Sequence, residues 1–296
     1  MGTLLKTDNH ITLPDDRRLA YAEFGKPDGY PVLYFHGSPA SRLEPMLIGD
    51  EAFSQFGLRI IAPDRPGMGQ SDFQPRRGFS DWPADMLVLA DTLGLDQFSI
   101  LGNSGGGGYA AVCAAKIPER LRAVVIVSGG WQMNSPEALD NLPPINRLFM
   151  IISRRAPILL PIFLRMMAGS PKDKPEQTLA QFKMSMPAAD YAVLEEQPSR
   201  VDHLMQMTRE SMAQGTKGAV WDMRLYVSDW DFRLDEIQMH LKIFHGKQDR
   251  NVPLAAVRKA MTILPNAELV TYENEAHLST LCNHLSEFAP ALIDRQ

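Results

Sequence analysis

The segment Phe98-Ser99-Ile100-Leu101-Gly102-Asn103-Ser104-Gly105-Gly106-Gly107-Gly108-Tyr109 decides how the rest of the chain is read. A short apolar run leads straight into G-x-S-x-G, and residues 109–116 then read as a helix. A serine on so sharp a strand-to-helix turn takes a strained backbone conformation, and side chains two positions before and after it would collide. Gly102 and Gly106 remove that collision. In a helix each glycine costs roughly 0.5–1 kcal/mol relative to alanine, so the run 105–108 is kept for something other than helix stability. The first N–H groups of that helix face the serine and favour anionic charge beside it. Ser104 is therefore a candidate nucleophile.

Working outward, similar apolar runs bounded by Gly, Pro or Asp lie at 32–35, 58–62, 123–127, 241–244 and 269–272 and read as buried strands. Between them run helical patterns. The clearest covers 82–93, where Trp82, Met86, Leu89 and Leu93 recur at spacings of four, three and four. Asp81 is expected to cap its start and Gly94 its end. Strands alternating with helices imply an α/β fold, a mostly parallel, doubly wound sheet with its functional groups at the carboxyl ends of the strands.

The alternation stops over 134–227, where apolar residues follow helical spacing through short segments punctuated by Pro143, Pro144, Pro157, Pro161, Pro171 and Pro187. This stretch is read as an inserted helical cap, with 1–133 and 228–296 forming the core. Many methionines fall in it, including Met150, Met166, Met167, Met184, Met186, Met205, Met207 and Met212. Such side chains either pack the cap itself or give a compliant pocket lining.

The order of Ser104, an acid and then a histidine resembles that of the α/β-hydrolase family, as does the nucleophile elbow around Ser104. After the strand 241–244 comes His245-Gly246-Lys247-Gln248-Asp249-Arg250-Asn251-Val252-Pro253, similar to the family's G-x-x-D-x-x-V-P turn, with Asp249 at the acid position. After the strand 269–272 comes His277. The resemblance implies Ser104 as nucleophile, His277 as base and Asp249 as the carboxylate that holds the imidazole tautomer. It also implies an oxyanion hole from the backbone N–H groups of Gly105 and of Ser38, in His36-Gly37-Ser38-Pro39. Asp64 to Ser71 matches a family loop, D-x-x-G-x-G-x-S, and both named residues are read as holding that loop. Trp131, just past the strand 123–127, walls a substrate pocket or packs the core; the residues leave both open. The other histidines, His36 and His245 among them, are read as structural.

The glycines also satisfy G-x-G-x-x-[GA] through Gly105, Gly107 and Ala110, a dinucleotide fingerprint. That fingerprint needs an acid near the end of the next strand, and Ser128-Gly129-Gly130 stand there instead, so no cofactor is expected. In 296 residues with a net charge of −5 and interleaved charges, nothing marks a nucleic-acid or anionic-membrane partner. Two cysteines, Cys113 and Cys282, point to a reducing compartment. The first ten residues lack the apolar core of a secretory signal, so a cytoplasmic protein, monomer or homodimer, is expected. A serine nucleophile favours acyl transfer, and a carboxylesterase acting on a small-molecule ester is the leading expectation. The alternatives are a carbon–carbon bond hydrolase, suggested by Asn103 before the serine, and a non-enzymatic ligand sensor on the same fold.

Overall fold

The computed structural model of the protein describes residues 6–140, 142–170 and 173–293. Eight strands form one sheet: β1 (Lys6–Thr12), β2 (Arg18–Gly25), β3 (Tyr30–Phe35), β4 (Leu58–Pro63), β5 (Phe98–Asn103), β6 (Leu121–Val127), β7 (Leu241–Gly246) and β8 (Ala267–Tyr272). Their order is β1-β2-β4-β3-β5-β6-β7-β8. The first two strands run antiparallel to their neighbours, and every pairing from β4 through β8 is parallel.

Strand alternation builds a core on each face of the sheet. Leu33, Phe35, Val124 and Ile126 point to one side. There they pack against α2 (Trp82–Thr92) and α3 (Gly106–Lys116), which follow α1 (Asp50–Gln55) in the chain. Val32, Tyr34, Val125 and Val127 point to the other side. Between β6 and β7 lie α4 (Pro136–Asp140), α5 (Pro144–Arg155), α6 (Leu160–Ala168), α7 (Pro175–Ser185), α8 (Ala188–Glu196), α9 (Ser199–Ser211) and α10 (Lys217–Tyr226). Then come α11 (Leu254–Met261), α12 (His277–Asn283) and α13 (Leu285–Ile293). The second core holds Phe53 of α1 and Phe288 and Leu292 of α13. The outermost ends of the expected core, 1–5 and 294–296, and Pro171 of the expected cap lie outside the described residues.

One expectation about the ends of α2 is corrected. Asp81 does not cap it: its backbone is already helical, at φ −77 and ψ −28, rather than extended as a capping residue requires, and its Oδ2 turns back to accept the N–H of Gly78 at 2.7 Å. Gly94 does close the helix, at φ +69, where a left-handed residue is required. Its N–H reaches Asp91 O and that of Leu95 reaches Ala90 O, satisfying two terminal carbonyls. Among the described residues no helix is long and apolar enough to cross a membrane.

Candidate active site

Ser104 follows β5 directly and sits at φ +50, a left-handed conformation rare for a residue with a side chain. The strain is held by its neighbours. Its N–H donates to Val127 O at 2.9 Å, and its carbonyl accepts the N–H of Gly107 at 2.9 Å and of Gly130 at 2.6 Å. A Cβ on Gly102 would come within 2.8 Å of Gly106 O, and one on Gly106 within 1.9 Å of Phe35 O. The two glycines thus let β3, β5 and α3 close around the serine.

His277 is the first residue of α12, which begins just beyond the carboxyl end of β8. Its Nε2 lies 2.9 Å from Ser104 Oγ and its Nδ1 2.7 Å from Asp249 Oδ2. Asp249 is buried in the turn after β7, and its Oδ1 accepts the N–H groups of Asn251 and Val252 at 2.7 and 2.9 Å. Burial alone would raise its pKa, but His277, then His245 and the Val252 amide, outweigh burial and hold it below the usual carboxylate value. Burial alone would likewise lower that of His277, but Asp249, then Asp190 and Glu44, raise it above the ordinary imidazole value. The arrangement is a carboxylate, an imidazole and a hydroxyl in one hydrogen-bonded line.

The N–H groups of Ser38 and Gly105 are offered side by side. A Cβ on Gly105 would lie 3.2 Å from Ser38 N, and among the described residues neither N–H has a protein acceptor. Two side chains of α10 hold them in place. Asp222, fully buried, accepts the Ser38 hydroxyl at 2.8 Å, while Tyr226 donates its phenol to Gly105 O. Asp222 also meets Arg65 at 3.0 Å, Arg77 at 3.1 Å and the hydroxyl of Tyr109. The two guanidiniums outweigh the burial penalty and hold it at about 2. From the other side Glu44 accepts the N–H of Gly37 at 2.9 Å and the Tyr34 phenol at 2.8 Å.

The remaining sequence candidates fall into place around this line. Asp64 is buried and accepts Arg42 N, Gln70 N and the Arg42 guanidinium, while Ser71 donates to Asp64 O and accepts Ala20 N. Both tie the loop between β4 and α2 to the sheet. His36 is buried, with Nδ1 2.8 Å from Gly37 O. His245 is also buried, with Nε2 3.0 Å from Val252 O and 3.7 Å from Asp249 Oδ2. Among the described residues no three His, Cys, Asp or Glu side chains are gathered to hold a metal ion.

Two lobes of a cavity meet at Ser104, His277, Ser38 and Asn251. The first is walled by Trp131, Phe149, Met150, Met223, Tyr226 and Val252. The second is walled by Leu47, Met186, Leu204 and Met207 together with Glu44 and Asp190. Met167 borders both. Of the methionines noted in the sequence, Met150, Met167, Met186 and Met207 line the cavity, whereas Met166 and Met184 face solvent. Among the described lining residues there is no Lys or Arg. Sequence reading missed Glu44, Asp190, Asp222 and Tyr226, since none sits in a recognisable pattern.

A family model described as the alpha/beta hydrolase fold matches residues 30–281. Among curated proteins, a non-heme chloroperoxidase of Streptomyces lividans is 29% identical, covering 96% of this chain and 97% of its own. A 2-hydroxy-6-oxononadienedioate/2-hydroxy-6-oxononatrienedioate hydrolase of Paraburkholderia phymatum is 26% identical, covering 89% and 85%. Among solved structures, an esterase from Exiguobacterium antarcticum superposes with a TM-score of 0.67 at 19% identity, covering 97% and 98%.

Proposed function

Because the chain belongs to the α/β-hydrolase fold family, we propose that it is a serine hydrolase acting as a carboxylesterase on uncharged esters. The observation that carries this reading is the unbroken line from Asp249 through His277 to Ser104, at 2.7 and 2.9 Å. In the first step His277 Nε2 takes the Ser104 proton while Oγ bonds to the carbonyl carbon and the carbonyl electron pair moves onto oxygen. The N–H groups of Ser38 and Gly105 receive that oxyanion. The imidazolium, held by Asp249, then protonates the departing alkoxide and leaves an acyl-enzyme. Water repeats the sequence and frees the acid.

Carbon–carbon bond hydrolysis is the competing reading, supported by relatives named as hydrolases of dioates. Such substrates carry two carboxylates, and a site that binds them needs compensating cations. Around Ser104 the described lining offers apolar walls, neutral polar groups such as Asn146 and Asn251, two acids and no Lys or Arg, which favours a neutral ester. A reducing, cytoplasmic setting suits Cys113 and Cys282, which form no disulfide.

An organophosphonate probe combined with a panel of neutral aryl esters tests the reading. Labelling at Ser104 together with ester turnover, both abolished in Ser104→Ala with a rate loss on the order of 10⁴-fold or more, is the expected result. Turnover by a protein that stays unlabelled would overturn the assignment, and ligand binding with no product release would identify a sensor.

A further inference from the structure

The histidine helix α12 begins without a side-chain cap of its own. Its N-cap residue is Ala276, whose methyl group cannot accept a hydrogen bond. Ser279 supplies half of a capping box by accepting the N–H of Ala276 at 2.8 Å. The other half, a carboxylate or hydroxyl for the N–H groups of the first turn, comes from a distant part of the chain. Asp190 of α8 accepts the N–H of Leu278 at 2.9 Å and of Ser279 at 2.8 Å, both through Oδ1. These are the two amides immediately after His277.

The contact is built rather than incidental. Asp190 is 2% exposed. Val193 and Leu194, three and four positions further along α8, share its helix face and pack in one apolar cluster with Leu278 of α12. Burying a carboxylate is costly unless it is hydrogen-bonded, and here the bonds from Leu278 and Ser279 both come from the first turn of the element that carries the imidazole. Asp190 also borders the second cavity lobe together with His277 and Ser104.

We propose that Asp190 is a positioning residue for His277, a carboxylate supplied by the cap that fixes the first turn of α12 and favours the imidazolium formed when Ser104 gives up its proton. This rests on the reading of Ser104 and His277 as nucleophile and base. The charged groups around the imidazole are Asp249, which binds Nδ1, Asp190 and Glu44, with the buried His245 behind Asp249. Asp249 fixes the tautomer from one side. Asp190 fixes the backbone from the other, so that Nε2 stays in line with Ser104 Oγ.

The test compares Asp190→Asn and Asp190→Ala in the full chain. Asparagine keeps the shape and an acceptor oxygen but removes the charge; alanine removes both. The expected result for Asp190→Asn is a kcat about tenfold lower with KM within about threefold, and an acid limb of the pH–rate profile displaced to lower pH. For Asp190→Ala the fall in kcat reaches about 10- to 100-fold. Titration of the His277 ring by NMR supplies the same comparison without turnover, and a lowered midpoint in Asp190→Asn is expected. Wild-type kcat, pH profile and ring titration in Asp190→Asn overturn the proposal. If Asp190→Ala fails to fold, Asp190→Asn decides. If wild-type protein neither hydrolyses esters nor labels at Ser104, the functional reading falls, while the NMR comparison still decides the role of Asp190.

Discussion

At the scale of single residues, the chemistry turns on how the surroundings of His277 set its charge. Burial opposes protonation, but Asp249, Asp190 and Glu44 together reverse that and raise its pKa above the ordinary imidazole value of about 6.5. Only the neutral ring can accept the serine proton, so raising the pKa keeps the base occupied up to a higher pH. The acid limb of kcat/KM is therefore expected above pH 6.5, and a limb centred at or below that value would contradict the described contacts. The same shift favours the folded chain below the unfolded value, and that contribution is lost as pH rises through the folded one. Ser104, Asp249 and His277 were legible because each follows a strand in a recognisable pattern. Asp190 and Asp222 were not. An aspartate within a helical stretch carries no mark of burial, and its partners lie 88 and 184 positions away along the chain.

At the scale of elements, the turn from β5 into α3 works because backbone can approach where side chains would stand. Gly106→Ala places a methyl group within 1.9 Å of Phe35 O, so β3 and α3 must separate or the turn must relax. A loss of about 1–3 kcal/mol is expected from such crowding, together with slower phosphonate labelling of Ser104. Thermal denaturation and labelling kinetics check both. Unchanged stability and labelling would show that the contact is easily relieved. The turn was readable because strand, glycines and helix are contiguous. The strands β1 and β2 were not read: β1 is Lys6-Thr7-Asp8-Asn9-His10-Ile11-Thr12, a mostly polar strand whose burial alternates between exposed and intermediate. Such an edge strand has no apolar run to announce it. The expected end of β5 at 101 also fell short, because Gly102 and Asn103 join the sheet through pairing with Ile126 and Val127 of β6, which only the folded chain supplies.

At the scale of the whole molecule, α10 is bound to the core through charge as well as apolar packing. Asp222 lies between Arg65 and Arg77, all three buried, and the aspartate titrates at about 2. A folded value below the unfolded 3.8 contributes stability that is present above pH 3.8 and lost as pH falls toward 2. Asp222→Asn leaves two buried guanidiniums without their anion. A loss of about 3–5 kcal/mol is expected at neutral pH, shrinking on acidification because the wild type then loses the same contribution. Urea denaturation of both proteins at pH 7 and near pH 3 measures this, and equal stability at pH 7 would contradict it.

The helices between β6 and β7 do more than roof the cavity, since Asp222 and Tyr226 of α10 grip the loop and the turn that present the two free N–H groups. Helices set between two strands invite treatment as an exchangeable cassette for choosing new substrates. In this molecule the cassette carries some of the scaffolding beneath the reacting atoms. A transplant that matched the walls of the cavity yet omitted these acids and this phenol would bring in the right guest and leave the host's machinery out of alignment.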